Sequence, residues 1–463
     1  MYNAYITEIK NICRHPNADR LDLGDCFGNT VCISHGEFAE GDLVVYFPTD
    51  GQLSEEFCQV HDLVRRKDDA GNPCGGYLEP GKRNIRAIRL RGEKSDGLVM
   101  PLHCLEYTGV DINTLEAGFA FTAINGKEIC CKYIPRSNRR SQSCNAGNRT
   151  RKKKAPVAPL FAEHTDTEQL AYNLSAFKPG DEIEITLKMH GTSGRTARLP
   201  VLKGYRRTLL DRILRREGTP IYEDGYVSGT RRVVLENYEG GFYGNNSFRE
   251  KHSKFFEGKL MKGETVYYEI VGFTEAGQPI MGDGKNKKVG DDFVKQYGET
   301  TTFSYGCYPN GKKMMFGHDD EGEFHLEVEA PQSDIYVYRM TMTNPDGFVV
   351  EYTSDFMRYR CEQMGVKCVP VFMKTIIPTH KPINAGEYVK FLAEQFYAGP
   401  DPIGKTHTRE GVVVRIINRP KFCAYKHKNF EFKVLEGIIK DTAAAPDIEE
   451  IQETLEEVQD VLN

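Results

Sequence analysis

Lys188-Met189-His190-Gly191-Thr192-Ser193 is the stretch on which the reading of this 463-residue chain turns. Ahead of it Ile183, Ile185 and Leu187 alternate with polar residues, the period of a strand. Lys188 therefore ends a strand and runs into a turn of small residues, where backbone N–H groups can face an anion. A lysine amine becomes a nucleophile only after losing a proton, from a reference pKa of about 10.4. Neighbouring cations and a metal-bound phosphate would favour that loss.

Four segments downstream supply matching chemistry. Val266 to Gly272 reads as a strand with one carboxylate, Glu269, among apolar residues. Asp334 to Thr341 is an alternating strand with Tyr336 and Tyr338 on one face. Glu410 precedes the apolar run Val412-Val413-Val414. Lys426 and Lys428 stand two apart, hence on one side of a strand. A purine-nucleotide pocket needs these parts: an aromatic ring for the base, carboxylates for sugar and metal, and cations for phosphate.

The ordered set resembles the ATP-dependent RNA ligases of the covalent lysyl-nucleotidyltransferase superfamily, from about Asp181 to Leu435. Lys-x-His-Gly-Thr-Ser resembles their first motif, with His190 where many relatives have Asp. Tyr-Tyr-Glu-Ile-Val-Gly resembles the third, Tyr-Val-Tyr-Arg the aromatic motif after it, Glu-Gly-Val-Val-Val-Arg the fourth and Lys-His-Lys-Asn the fifth. The basic motif expected about twenty residues after the lysine comes later here, in Val227-Ser228-Gly229-Thr230-Arg231-Arg232. Lys203 to Arg216 reads as an insertion before it. Asp346-Gly347-Phe348-Val349-Val350 mimics the fourth motif, but only the Glu410 copy is soon followed by paired lysines.

The resemblance implies that Lys188 is the catalytic nucleophile and forms a lysyl-AMP. It implies ATP binding by His190, Gly191, Arg231 (with Arg232 as alternative), Glu269, Tyr338 (with Tyr336 as alternative), Glu410, Lys426 and Lys428. Glu410 and Glu269 would hold Mg²⁺ or Mn²⁺. AMP would pass to an RNA 5′-phosphate, and a 3′-OH would then seal the strand. The expected partner is RNA, including an RNA–DNA hybrid or a nicked duplex. The alternatives are a nucleic-acid-binding protein with an inactive nucleotidyltransferase domain, or an adenylyltransferase with another acceptor.

Further upstream, His15-Pro16-Asn17-Ala18-Asp19-Arg20-Leu21 and Ile85 to Pro101 resemble the OB-fold tRNA-binding modules of some synthetases. Short alternating strands at Thr30 to Ser34 and Asp42 to Phe47 fit that fold, which binds oligonucleotides on one strand face. An OB module placed before a ligase domain resembles the two-domain Deinococcus-type ligases. The expected class is α+β. Residues 1–125 would form an OB-fold β-barrel, 126–160 a basic linker, and 161–440 a nucleotidyltransferase domain (ATP-grasp-like) of antiparallel sheets with flanking helices. Residues 441–463 would form an acidic amphipathic helix.

Composition sets wider bounds. Thirteen cysteines without a Cys-x-x-Cys pair, and no signal peptide, give the expectation of an intracellular protein, cytoplasmic or alternatively nuclear. No apolar run approaches a membrane helix. The net charge of −5 is dominated by eight acidic residues after Lys440, so the remainder is mildly basic. Arg136 to Lys154 holds eight basic residues and no acidic one, a linker able to follow phosphates. Ile448, Ile451, Leu455, Val458 and Leu462 recur at helical spacing, fit for docking on the catalytic domain or on a protein partner.

Overall fold

The computed structural model describes residues 2–68, 70–134, 155–165, 167–213, 216, 218–235, 238, 247–319, 322–380 and 383–441. The basic run from Arg136 to Lys154 and the expected C-terminal helix lie outside them. The class is α+β, as expected: antiparallel sheets with a few short helices. The chain divides into two units.

The first unit takes Met1–Arg136, Gly284–Glu299 and Asn429–Ala444. One four-stranded sheet runs Leu98–Pro101, Leu43–Phe47, Ala4–Glu8, Ala120–Phe121, and a three-stranded meander joins Lys10–Arg14, Leu21–Cys26 and Asn29–Ser34. Alternation explains the packing. Ala4 and Ile6 are fully buried while Tyr5 between them is not, and they share a core with Val45, Phe47, Leu53, Phe57 and Leu105.

Two features differ from the sequence reading. The expected linker from residue 126 begins inside this unit: Cys130–Lys132 pairs with Gly51–Leu53, and Ile129 is fully buried. Segments 284–299 and 429–440, which were expected in the catalytic domain, also belong to this unit. Phe430, Val434 and Leu435 of the helix Phe430–Asp441 bury against Ala87 and Val289. Lys433 pairs with Asp96 at 2.6 Å, and Arg89 donates to the Val289 carbonyl at 3.1 Å.

The second unit holds the remaining sheets. A five-stranded sheet runs Glu168–Gln169, Cys423–Lys428, Gly411–Ile416, Glu182–Lys188, Val371–Ile376. Its inner face (Ile183, Ile185, Val412, Val414) packs on Val389, Leu392 and Ala393 of the helix Ala385–Glu394. The other sheet runs Thr219–Gly229, Thr192–Arg206, Glu264–Gly272, Ser333–Thr343, Val349–Glu351. Its core side (Val266, Ile270, Ile335, Val337) meets Met357, Cys361 and Met364 of the helix Ser354–Met364. That helix is stopped at both ends: Thr353 accepts the Phe356 N–H, and Gly365 closes it in the left-handed region at φ 69°. The expected insertion from Lys203 is the far end of the long hairpin that pairs Arg195 with Gly229 and Arg206 with Thr219.

Candidate active site

Lys188 is the last residue of its strand, and the chain then crosses from the five-stranded sheet to the other through Met189-His190-Gly191. Register sets the site. Lys188 lies opposite Gly411, and Gly411 lies opposite Lys428 on its other side. Two lysines are thus brought to one rung, on either side of a shared glycine, with Glu410 next to that glycine. Gly411 leaves no room for a side chain, since a Cβ there would come within 2.1 Å of the His427 carbonyl. Gly191 is equally confined, 2.4 Å from the Ile270 carbonyl by the same measure.

Glu410 is the centre of the cluster. Its side chain is 2% exposed; Oε1 lies 2.7 Å from Lys188 Nζ and 3.3 Å from Lys428 Nζ. Oε2 lies 3.7 Å from His190 Nδ1, too long for a hydrogen bond. Burial pushes this carboxyl up, but Lys188, Lys428 and His190 outweigh it and hold the group well below the usual carboxylate range. Glu410 is therefore an anion buried among cations, fixed by charge more than by backbone donors.

The turn after Lys188 is held from two directions. The His190 N–H donates to the Tyr305 hydroxyl at 2.7 Å, and the Gly191 N–H donates to Glu269 Oε1 at 3.1 Å. The His190 ring meets Phe303 edge-on at 4.6 Å. Behind them sits His407, fully buried, its ring 4.5 Å from Tyr305 and 5.1 Å from Phe303. His407 Nδ1 bonds the Thr408 carbonyl, and Nε2 lies 4.0 Å from buried Asp401. Tyr305 adopts φ 49°, unusual for an aromatic residue, so the surrounding packing fixes its hydroxyl there at a cost in backbone energy. Arg249 donates to the Ser193 carbonyl at 2.8 Å and to the Thr192 hydroxyl, completing the brace.

Lys188, His190, Gly191, Glu269, Glu410 and Lys428 are thus joined by contacts. Lys426 is one repeat away on the same strand, opposite Val413. Tyr336 is the cross-strand partner of Glu269, while Tyr338 falls in the register shift between the Arg339–Tyr267 and Val337–Tyr268 pairs. Tyr338 and Arg231 meet at His164: the Tyr338 ring is 5.2 Å from it, and the Arg231 carbonyl accepts its N–H at 3.1 Å. Burial, then Arg339, Arg231 and Arg195, push the His164 pKa well down, and its Nδ1 lies 3.0 Å from the Arg339 guanidinium. Arg195, 1% exposed, supports the Arg231 turn through the Thr230 and Arg232 carbonyls at 2.7 and 2.9 Å.

Sequence reasoning missed Tyr305, Phe303, Asp401, His407, His164, Arg195 and Arg249. Only Arg195 offered a signal, a cation at an inward position of a strand. The decoy at Asp346 is a turn leading to an edge strand, with Val350 60% exposed. Among the described residues no three His, Cys, Asp or Glu side chains form a metal cage. The carboxylates present suit a hard ion that keeps water and phosphate ligands.

A family profile described as an OB-fold domain matches residues 3–102. No curated protein matches the sequence. Solved structures of Naegleria gruberi RNA ligase are similar to it. A mutant with ATP and Mn aligns with TM-score 0.52 and 16% identity, over 93% of this chain and 98% of that one. The ligase with PPi gives TM-score 0.52 and 18% identity, over 92% and 96%. A mutant with AMP and Mn gives 0.51 and 16%, over 93% and 97%. At such identities the likeness is one of fold: an OB-fold domain, then a sheet-rich domain with few helices.

Proposed function

We propose that this chain is an ATP-dependent RNA ligase working through a covalent lysyl-AMP on Lys188. The observation that carries the reading is the buried Glu410 bonded to both Lys188 and Lys428, which flank Gly411 on one rung of the sheet. A buried carboxylate shared by two lysines holds the nucleophile in place and pairs it with a second cation where phosphate charge must be neutralised. Structures of the Naegleria ligase with ATP, AMP and Mn support the choice of nucleotide and metal. The OB-first order supports the Deinococcus-type arrangement.

In the first step Lys188 Nζ gives its ammonium proton to water, attacks the α-phosphorus of ATP as the neutral amine, and passes a second proton to the departing pyrophosphate. A P–N bond forms, the bond to the bridging oxygen breaks, and pyrophosphate leaves. Glu410 stays ionised and positions the amine; its depressed pKa makes it a poor proton acceptor. Lys428 and Lys426 neutralise the phosphates, and the turn N–H groups of His190 and Gly191 stay fixed by Tyr305 and Glu269. Mg²⁺ or Mn²⁺ held by Glu410 and Glu269 would supply Lewis-acid charge at the phosphates. Next, an oxygen of an RNA 5′-phosphate displaces Lys188 and takes the AMP, and a 3′-OH then displaces AMP. Tyr338 or Tyr336 would stack on adenine and Arg231 would contact phosphate.

The test is transfer of AMP from isolated lysyl-AMP protein. Capped and then joined 5′-phosphorylated RNA is the expected product. Transfer to protein alone, or to no acceptor, would refute the ligase assignment.

A further inference from the structure

Three hairpins of the first unit close with two-residue turns whose central residues both have positive φ: Phe27-Gly28, Arg91-Gly92 and Asn125-Gly126. Such turns favour Asn, Asp or Gly at the first position, because a side chain there crowds its own backbone. Asn125 obeys the rule. Phe27, at φ 54°, breaks it, and its ring packs edge-on against Tyr5 at 5.5 Å and near Tyr46 at 6.1 Å. Arg91, at φ 46°, breaks it with no such return: its side chain is exposed and makes no hydrogen bond or ion pair among the described residues.

The backbone beneath Arg91 is nevertheless built to hold it. His15 is 4% exposed, and its Nε2 bonds the Leu90 carbonyl at 3.0 Å. His15 Nδ1 accepts the Asn17 N–H at 3.1 Å, and the Asn17 side-chain amide donates to the Arg91 carbonyl at 3.0 Å. The loop around His15 is thereby tied to the hairpin tip, and it brings a second exposed arginine, Arg20. Neighbouring charges are already committed: Arg14 to the Asp19 carbonyl and Asp22, Arg89 to Gly92, Val289 and Glu431, Lys94 to Glu431. Glu93 follows the turn as the nearby acidic residue.

We propose that Arg91 at this braced tip is a backbone-phosphate contact for the RNA strand; the choice of RNA rests on the ligase reading. A planar guanidinium matches phosphate geometry and contributes counterion release without base preference. The strained turn, unexplained by packing, is then explained by its ligand.

The experiment measures binding of a 5′-phosphorylated single-stranded RNA to the full chain across a salt series, with thermal unfolding in parallel. Arg91→Gly removes the strain and the charge together. It is expected to keep or raise the melting temperature, weaken binding several-fold at low salt, and flatten the log K against log salt slope by about 0.7. Arg91→Lys should keep most of the slope. Wild-type affinity and slope in Arg91→Gly, or no RNA binding by the wild type at any salt, would overturn the proposal. Label transfer from ATP to the wild-type protein is read alongside. Its absence would sink the ligase reading while the RNA contact is still judged by binding.

Discussion

The most telling side chain is Glu410, because its ionisation decides what Lys188 and Lys428 face. The sign of its pH effect follows from its depressed pKa. An unfolded Glu titrates near about 4.3, and the folded carboxylate titrates lower because of Lys188, Lys428 and His190. Its stabilisation is therefore complete above the unfolded value and is lost as pH falls toward the folded one. In urea titrations the stability gap between wild type and Glu410→Gln should be constant from pH 8 down to about 5 and narrow below about 4.3. A gap that widened in acid would show that the carboxyl is not held down. Tyr305 acts on the same turn through one hydroxyl. Tyr305→Phe should cost about 1 kcal/mol in positioning, roughly fivefold in the rate of lysine adenylylation at saturating ATP. An unchanged rate would remove Tyr305 from the site.

Strands carried the readable part of the site. Lys188, Glu410 and Lys428 were legible because each ends or borders a run whose alternation is local, and the ladder only had to bring those runs side by side. Tyr305, Asp401 and His407 come from stretches with no period, and their positions depend on packing against residues about a hundred positions away. His164 is hidden for the same reason, as a loop histidine given meaning by Arg339 and Tyr338. The two tyrosines were placed on one face, but a register shift intervenes after Tyr336, and period-two reasoning cannot see a bulge. Between elements of the second unit, fully buried Glu264 is tied to Arg360 at 2.8 Å and to the Tyr352 hydroxyl at 3.0 Å. Glu264→Ala would strand the arginine and should cost about 3–5 kcal/mol in denaturant unfolding. A loss below about 1 kcal/mol would mean that water replaces the carboxylate freely.

The order of the two domains could be read from sequence, but their outlines could not. The first unit draws on 284–299 and 429–441, contacts that no local pattern announces. Deleting residues before Gly126 consequently does more than remove a module. It strips Ala87 from Phe430, Val434 and Leu435, and Asp96 from Lys433. Such a truncation should be less soluble than the full chain in sedimentation, and Phe430→Ser with Leu435→Ser should restore solubility. A monodisperse truncated protein without those changes would argue that the helix Phe430–Asp441 stands by itself. The central claim concerns Lys188, and label transfer from α-labelled ATP with Mg²⁺ or Mn²⁺ tests it most directly. A covalent adduct on wild-type protein that is lost in folded Lys188→Ala is the expected result. An adduct that survives in Lys188→Ala, or none on folded wild type with either metal, would contradict it.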